Sequence, residues 1–125
     1  MPNPSNRDAQ PDDRVTDVSL KDFQRLIRNM YLEKDVARGV PGTFMWLMEE
    51  IGELSSALRE TCAGQSDGPE LRANLAAEFA DVLAWLTTIA NVVDVDLAQA
   101  VRDKYGAGCP GCKQLVCVCP DSEKP

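Results

Sequence analysis

Leu20, Phe23, Leu26, Ile27 and Met30 recur at three- and four-residue intervals behind Ser19, with mainly charged and polar residues between them. This is the stripe of an amphipathic helix, and Ser19, with Asp22 three residues on, stands where an N-cap belongs. The pattern weakens over 34–38 and meets Gly39-Val40-Pro41-Gly42, a turn signal. A second helix is expected from an N-cap at Thr43 to about Ala63, with Phe44, Leu47, Ile51, Leu54 and Leu58 as its apolar face. After the polar stretch 64–69, a third runs from about Glu70 to Val93. Its face is Leu71, Leu75, Phe79, Val82, Leu86, Ile89 and Val93. Asp94 is the expected cap of a short fourth helix reaching about Lys104 through Leu97, Ala98 and Val101. No segment alternates with a period of two, so the expected fold is all-α, a compact bundle of about four helices.

Both ends depart from that pattern. Residues 1–17 are rich in Pro, Asn, Asp and Arg and nearly free of large apolar side chains, which predicts a disordered tail. Residues 106–125 hold four of the five cysteines. The expected organisation is a tail over 1–17, a helical domain over 18–105 and a Cys-rich segment over 106–125. The longest apolar stretch, 82–93, is too short to span a bilayer, and 1–6 lack the apolar core of a signal peptide. The expected location is cytoplasmic, with no membrane partner.

Composition narrows the chemistry. Thirteen basic residues against twenty acidic ones give a net charge of −7, which argues against coating a nucleic-acid polymer but not against nucleotides met through a divalent cation. Histidine is absent, which removes Ser-His and Cys-His nucleophile arrangements. Hydrolytic chemistry would have to run on carboxylates, lysines, thiols or metal-activated water.

The second and third helices each carry an acidic couple at i, i+3: Glu50 with Glu53, and Glu78 with Asp81. One such couple is ordinarily just solvated surface. Two can be compared by geometry. At about 100° per residue, Trp46, Glu50, Glu53 and Ala57 form a stripe flanking one apolar face. Asn74, Glu78, Asp81 and Trp85 flank the other with the same rotational sense. A short loop makes the helices antiparallel, which brings both flanks to one side at similar distances from the loop. Four carboxylates are thus expected at one level, bordered by Trp46 and Trp85. Like charges raise one another's pKa values, and a hard divalent cation relieves that repulsion. Oxygen-only ligands suit Mg²⁺ or Mn²⁺. The alternative is an inert, wet acidic groove.

Trp46-Leu47-Met48-Glu49-Glu50-Ile51-Gly52-Glu53-Leu54, followed by Glu78-Phe79-Ala80-Asp81-Val82-Leu83, resembles the all-α nucleotide pyrophosphohydrolases of the MazG-like superfamily. Their signature is an E-E-x-x-E helix followed by an E-x-x-D helix, and the resemblance covers about Val18 to Tyr105. It implies Mg²⁺-dependent hydrolysis of a (deoxy)nucleoside triphosphate to the monophosphate and pyrophosphate, with metal-activated water as nucleophile. The ligands carried over are Glu50, Glu53, Glu78 and Asp81, with Glu49 a possible fifth. Glu53 or Glu49 is the candidate general base. Lys104 matches a lysine that members often carry after the fourth helix and is a candidate phosphate contact. The chain then departs from the pattern, reading Tyr105-Gly106-Ala107-Gly108-Cys109 where relatives often have Asn or Arg. Trp46 or Trp85 would stack on the base or simply pack. Members commonly assemble as homodimers or homotetramers, and a role in clearing or balancing nucleotide pools follows. A phosphoribosyl-nucleotide is the alternative substrate, and a non-catalytic helical interaction module the alternative function.

Cys109, Cys112, Cys117 and Cys119 place four thiols within eleven residues. In a cytosolic setting this reads as a structural Cys₄ zinc site, with a redox-active pair or labile disulfides as rivals. Cys62, near the end of the second helix, reads as a small buried or boundary residue.

Overall fold

The computed structural model describes residues 17–63 and 68–120 and contains three helices: α1 (Leu20–Cys62), α2 (Pro69–Val92) and α3 (Leu97–Tyr105). No strand occurs among the described residues. All but Asp17 of the expected disordered tail lies outside the described residues.

The expected count of about four helices is corrected to three, because the two segments on either side of Gly39 run on as one. α1 spans 43 residues and is interrupted only at Gly39, where φ is 79° and ψ 172°. That conformation is open essentially to glycine, so the two helical halves of α1 meet at a one-residue kink. Pro41 follows within the next turn, where the break has already removed the need for its missing N–H. Thr43 does not cap a separate helix. It is fully buried, and its hydroxyl donates to the Gly39 carbonyl at 2.7 Å, bridging the kink.

Ser19 caps α1 as the pattern predicts, its Oγ accepting from the Asp22 N–H at 3.1 Å. The cap of α3 is Asp96 rather than Asp94, its side chain accepting from the Gln99 N–H at 3.0 Å. Asp94 instead adopts φ 60° in the turn between α2 and α3, a left-handed conformation that Asp tolerates. Gln24 fastens this turn to the start of α1. Its Nε2 donates to the Val95 carbonyl at 2.7 Å, and its Oε1 accepts from the Leu97 N–H at 2.9 Å.

The core lies along the antiparallel α1–α2 pair, and its stripe differs from the one the apolar residues predict. On α1 the most buried positions after the kink are Thr43, Leu47 and Ala57, with Glu50 and Leu54 half-buried. Phe44, Ile51 and Leu58 stay exposed at 51%, 41% and 38%, which turns the inward stripe toward the acidic couple. α2 repeats this: Glu78, Val82 and Trp85 are half-buried, Thr87 and Thr88 buried, and Phe79 and Leu86 exposed. Glu50 and Glu78 therefore sit nearer the helix–helix seam than a flank. By length and composition α2 is apolar enough to cross a membrane, with a mean hydropathy of 1.3 over its most apolar window. Pairing with α1 buries 22% of that window, and the helix carries Glu78 and Asp81 at its middle.

Candidate active site

Because α1 and α2 run antiparallel with matching stripes, Glu50 of α1 meets Glu78 and Asp81 of α2. One carboxylate oxygen from each lies within 4.8 Å of the others. Burial, with the charges of Asp81, Glu78, Glu49 and Glu53, pushes the Glu50 carboxyl above its ordinary range. Ion pairs among the described residues join Arg28 to Asp94 and Arg38 to Asp35, and neither touches the triad. A close, oxygen-only, uncompensated donor set fits a hard divalent cation such as Mg²⁺ or Mn²⁺. Glu53 and Glu49 are exposed and stand outside the close triad, although both contribute to the field on Glu50.

The raised Glu50 value has a consequence for stability. A carboxyl whose folded-state pKa exceeds its unfolded value stabilises the fold below the unfolded value, and that contribution is lost as pH rises through the folded value. In metal-free protein, Glu50→Gln is therefore expected to raise Tm at pH 7 by about 2–4 °C and to change it little at pH 4. Thermal unfolding in chelator at the two pH values checks this. A lower Tm at pH 7 would show that Glu50 is held charged by a favourable contact.

Beside the triad lies a cavity of about 360 Å³ whose lining includes Tyr31, Lys34, Asp35, Arg38, Asp81 and Trp85. Asp81 is thus shared between the triad and the cavity. Trp85 stacks on Trp46 with ring centroids 5.8 Å apart and planes 12° from parallel, and the Arg38 guanidinium lies 4.9 Å from the Trp85 ring centroid. Of the two tryptophans, only Trp85 lines the cavity. Lys104 sits exposed on the last turn of α3 with its Nζ 5.5 Å from the Tyr105 ring, and the cavity's cations are Lys34 and Arg38 instead.

Asp35 and Arg38 are functional candidates that the sequence pattern passed over as a fraying helix end. Their only signal is the i, i+3 acid–base spacing just before Gly39. Asp35 is 2% exposed, Arg38 Nη1 reaches its Oδ1 at 3.2 Å, and the same nitrogen lies 3.4 Å from the Thr43 hydroxyl.

The thiols of Cys109, Cys112, Cys117 and Cys119 also converge, each sulfur within 4.8 Å of the others. The Cys109 and Cys119 sulfurs are 3.8 Å apart. Tetrahedral Zn–S bonds of about 2.3 Å place sulfurs about 3.8 Å apart, so the set fits zinc. Gly108, at φ 100°, makes the approach possible, since a Cβ there would lie 2.5 Å from the Gln114 carbonyl oxygen. The backbone N–H groups of Val118 and Gln114 pull the Cys112 thiol down to about 6, whereas Cys119, facing the Cys117 thiol, is pushed up to about 12. Cys62 is exposed and lies apart from this cluster.

A comparison with curated proteins returned no match. The model of the MazG nucleotide pyrophosphohydrolase domain matches residues 41–111, which takes in the second half of α1, all of α2 and α3, and the first cysteine of the cluster. That match spans more than half of the chain and contains the whole carboxylate triad. The chain belongs to the MazG nucleotide pyrophosphohydrolase family.

Proposed function

We propose that this protein hydrolyses a (deoxy)nucleoside triphosphate to the monophosphate and pyrophosphate, with Mg²⁺ held by Glu50, Glu78 and Asp81 and completed by Glu53. The observation that carries this reading is the meeting of the three carboxylates from two helices at the edge of a cavity. When bound, the ion would neutralise the triphosphate and make water more acidic. The chain's own groups do the rest. Lys34 and Arg38 offer positive charge on the cavity wall to an anionic substrate. Glu53 or Glu49, exposed beside Glu50, accepts a proton from the attacking water. Lys104 reaches phosphate only if α3 or a second subunit brings it to the cavity.

Incubation with each common nucleoside triphosphate, with and without Mg²⁺, tests the reading, with products resolved by ³¹P NMR. Monophosphate and pyrophosphate, formed only with the metal, support it. Orthophosphate as sole product would overturn the bond assignment, and no turnover on any nucleotide would overturn the enzyme.

The domain organisation we propose keeps a helical catalytic unit over 18–105 and a Cys₄ zinc knuckle within 106–125. Four thiolates leave zinc no open position, so its role is to hold the chain beyond α3 in place. Metal analysis is expected to find about one equivalent of zinc per chain, lost in Cys112→Ser together with thermal stability of the C-terminal segment. Metal-free protein with all four thiols paired as disulfides would contradict this.

We also propose a cytoplasmic homodimer or homotetramer, since Phe44, Ile51, Leu58, Phe79 and Leu86 are left exposed by one chain. A monomer in sedimentation at micromolar concentration would count against it.

A further inference from the structure

We propose that the C-terminal arm, made of α3 and the four-thiol knuckle, is a clasp by which the chain grips a second copy of itself, with Leu115, Val116 and Val118 as its apolar tip. This rests on the self-association reading above and goes beyond it by naming the gripping element. No residue from 93 to 120 is buried on the single chain. Yet α3 is a regular helix of nine residues capped by Asp96. Helices shorter than about 12–15 residues are marginal without tertiary support. Its own chain supports α3 at the root, where Gln24 bonds Val95 and Leu97 and where Leu97 and Ala98 are half-buried. Val101 and Tyr105, further along the helix, stay exposed.

The tip is held outward by its frame. The Cys109 N–H donates to the Gln114 carbonyl at 2.9 Å, and the Lys113 N–H donates back to the Cys109 carbonyl at 2.7 Å. The four sulfurs converge within this loop. Leu115, Val116 and Val118 lie outside it, 91%, 81% and 73% exposed. Neighbouring aliphatic side chains kept this far into water by a bonded frame form a contact surface.

Charge identifies the partner. Residues 97–119 carry Arg102, Lys104 and Lys113 against Asp103 alone, while the whole chain stands at −7. Two copies therefore repel each other in general but attract through the arm of one and the body of the other. The body supplies a matching seat on α1, where Met45 and Met48 are exposed beside the exposed acids Glu49 and Glu53. Gly52, on the same face as the two methionines, leaves open space above the helix, since a Cβ there would meet nothing within 4 Å. An aliphatic tip on this adaptable methionine face, with Lys113 against the acids, repeats about a two-fold axis, so each copy supplies both halves of the contact.

Sedimentation equilibrium of the full-length protein at micromolar concentrations compares the parent with Leu115→Ser/Val116→Ser and with Lys113→Glu. The double variant is expected to raise the Kd of self-association at least about thirtyfold, the scale of losing one interface hot spot. Lys113→Glu is expected to raise it at least about fivefold at low salt, with the gap narrowing as salt is added. Both should keep the parent's helicity by circular dichroism, because all three side chains are exposed on the single chain. If the double variant loses helicity, Val118→Ser carries the same test. Assembly as tight as the parent's in either variant would overturn the clasp and leave the tip to a different protein. A monomeric parent would overturn self-association and the clasp together. Nucleotide turnover decides the hydrolase separately, since none of the substituted residues belongs to the triad or lines the cavity beside it.

Discussion

Glu78→Gln is expected to lower kcat for nucleoside triphosphate hydrolysis by about 10³-fold or more, the scale of removing a group that organises transition-state charge. Glu78 is half-buried at the α1–α2 seam and shares the close triad with Glu50 and Asp81. Gln keeps the shape and removes the charge, so the helices should survive. Removing a negative charge from a crowded cluster should, if anything, raise the Tm of metal-free protein. The informative contrast is Glu53→Gln. If Glu53 serves as a base and not a ligand, its loss lowers kcat while Mg²⁺ affinity stays near that of the parent; if it completes the metal site, both fall. Steady-state kinetics with Mg²⁺ titration separates these outcomes. Near-parental activity in Glu78→Gln would sink the assignment of the triad.

Arg38→Ala is expected to destabilise the protein by about 3 kcal/mol, because it strands a buried carboxylate. Arg38 holds Asp35 at 3.2 Å, lies against Thr43 at the kink, and covers part of the Trp85 ring. With Arg38 gone, Oδ1 of Asp35 loses its partner and joins Oδ2, which already has none. Asp35→Asn should cost about 1–2 kcal/mol, since a neutral amide can remain beside Arg38. The double variant Asp35→Asn/Arg38→Ala should then be more stable than Arg38→Ala alone. Urea unfolding at unchanged m-value gives all three numbers. An Arg38→Ala loss below about 1 kcal/mol would mean that water entering the cavity serves Asp35 as well as the guanidinium does.

The part of the site that depends on helical period was readable from residue order. Spacing alone paired Glu50 with Glu78 and Asp81, because two antiparallel helices with a short connection leave few ways to align their stripes. The same arithmetic placed Glu53 with them, and here the three-dimensional packing discriminates. The seam turns toward Glu50, and Glu53 stays at the exposed edge. The buried face itself differs from the expected one, because the largest apolar residues do not mark it. Phe44, Ile51, Leu58, Phe79 and Leu86 are exposed on the single chain, whereas Thr43, Thr87 and Thr88 are buried. Burial follows close packing of small residues at the seam as well as hydrophobicity, which periodicity weighted by hydrophobicity cannot see.

The segment around Gly39 shows the other limit. Gly-x-Pro-Gly reads as a turn between two helices, yet the chain needs only one residue at positive φ to redirect a helix that continues. Whether such a signal ends a helix or bends it depends on what the flanking residues can bond across the break. Here Thr43 donates back to the Gly39 carbonyl, while Arg38 ties Asp35 to the same corner. Both bonds are made within α1, and Arg38 also lies over the Trp85 ring of α2.

Residue order alone therefore determined the all-helical class, the Ser19 cap, the acidic couples and the thiol cluster, since each rests on local spacing along the backbone. The tertiary structure alone decided the kinked continuity of α1, the seam through Glu50 and Glu78, and the pocket holding Asp35. These depend on which side chains meet across helices, where volume, charge and unpaired hydrogen-bonding atoms from distant parts of the chain are settled together.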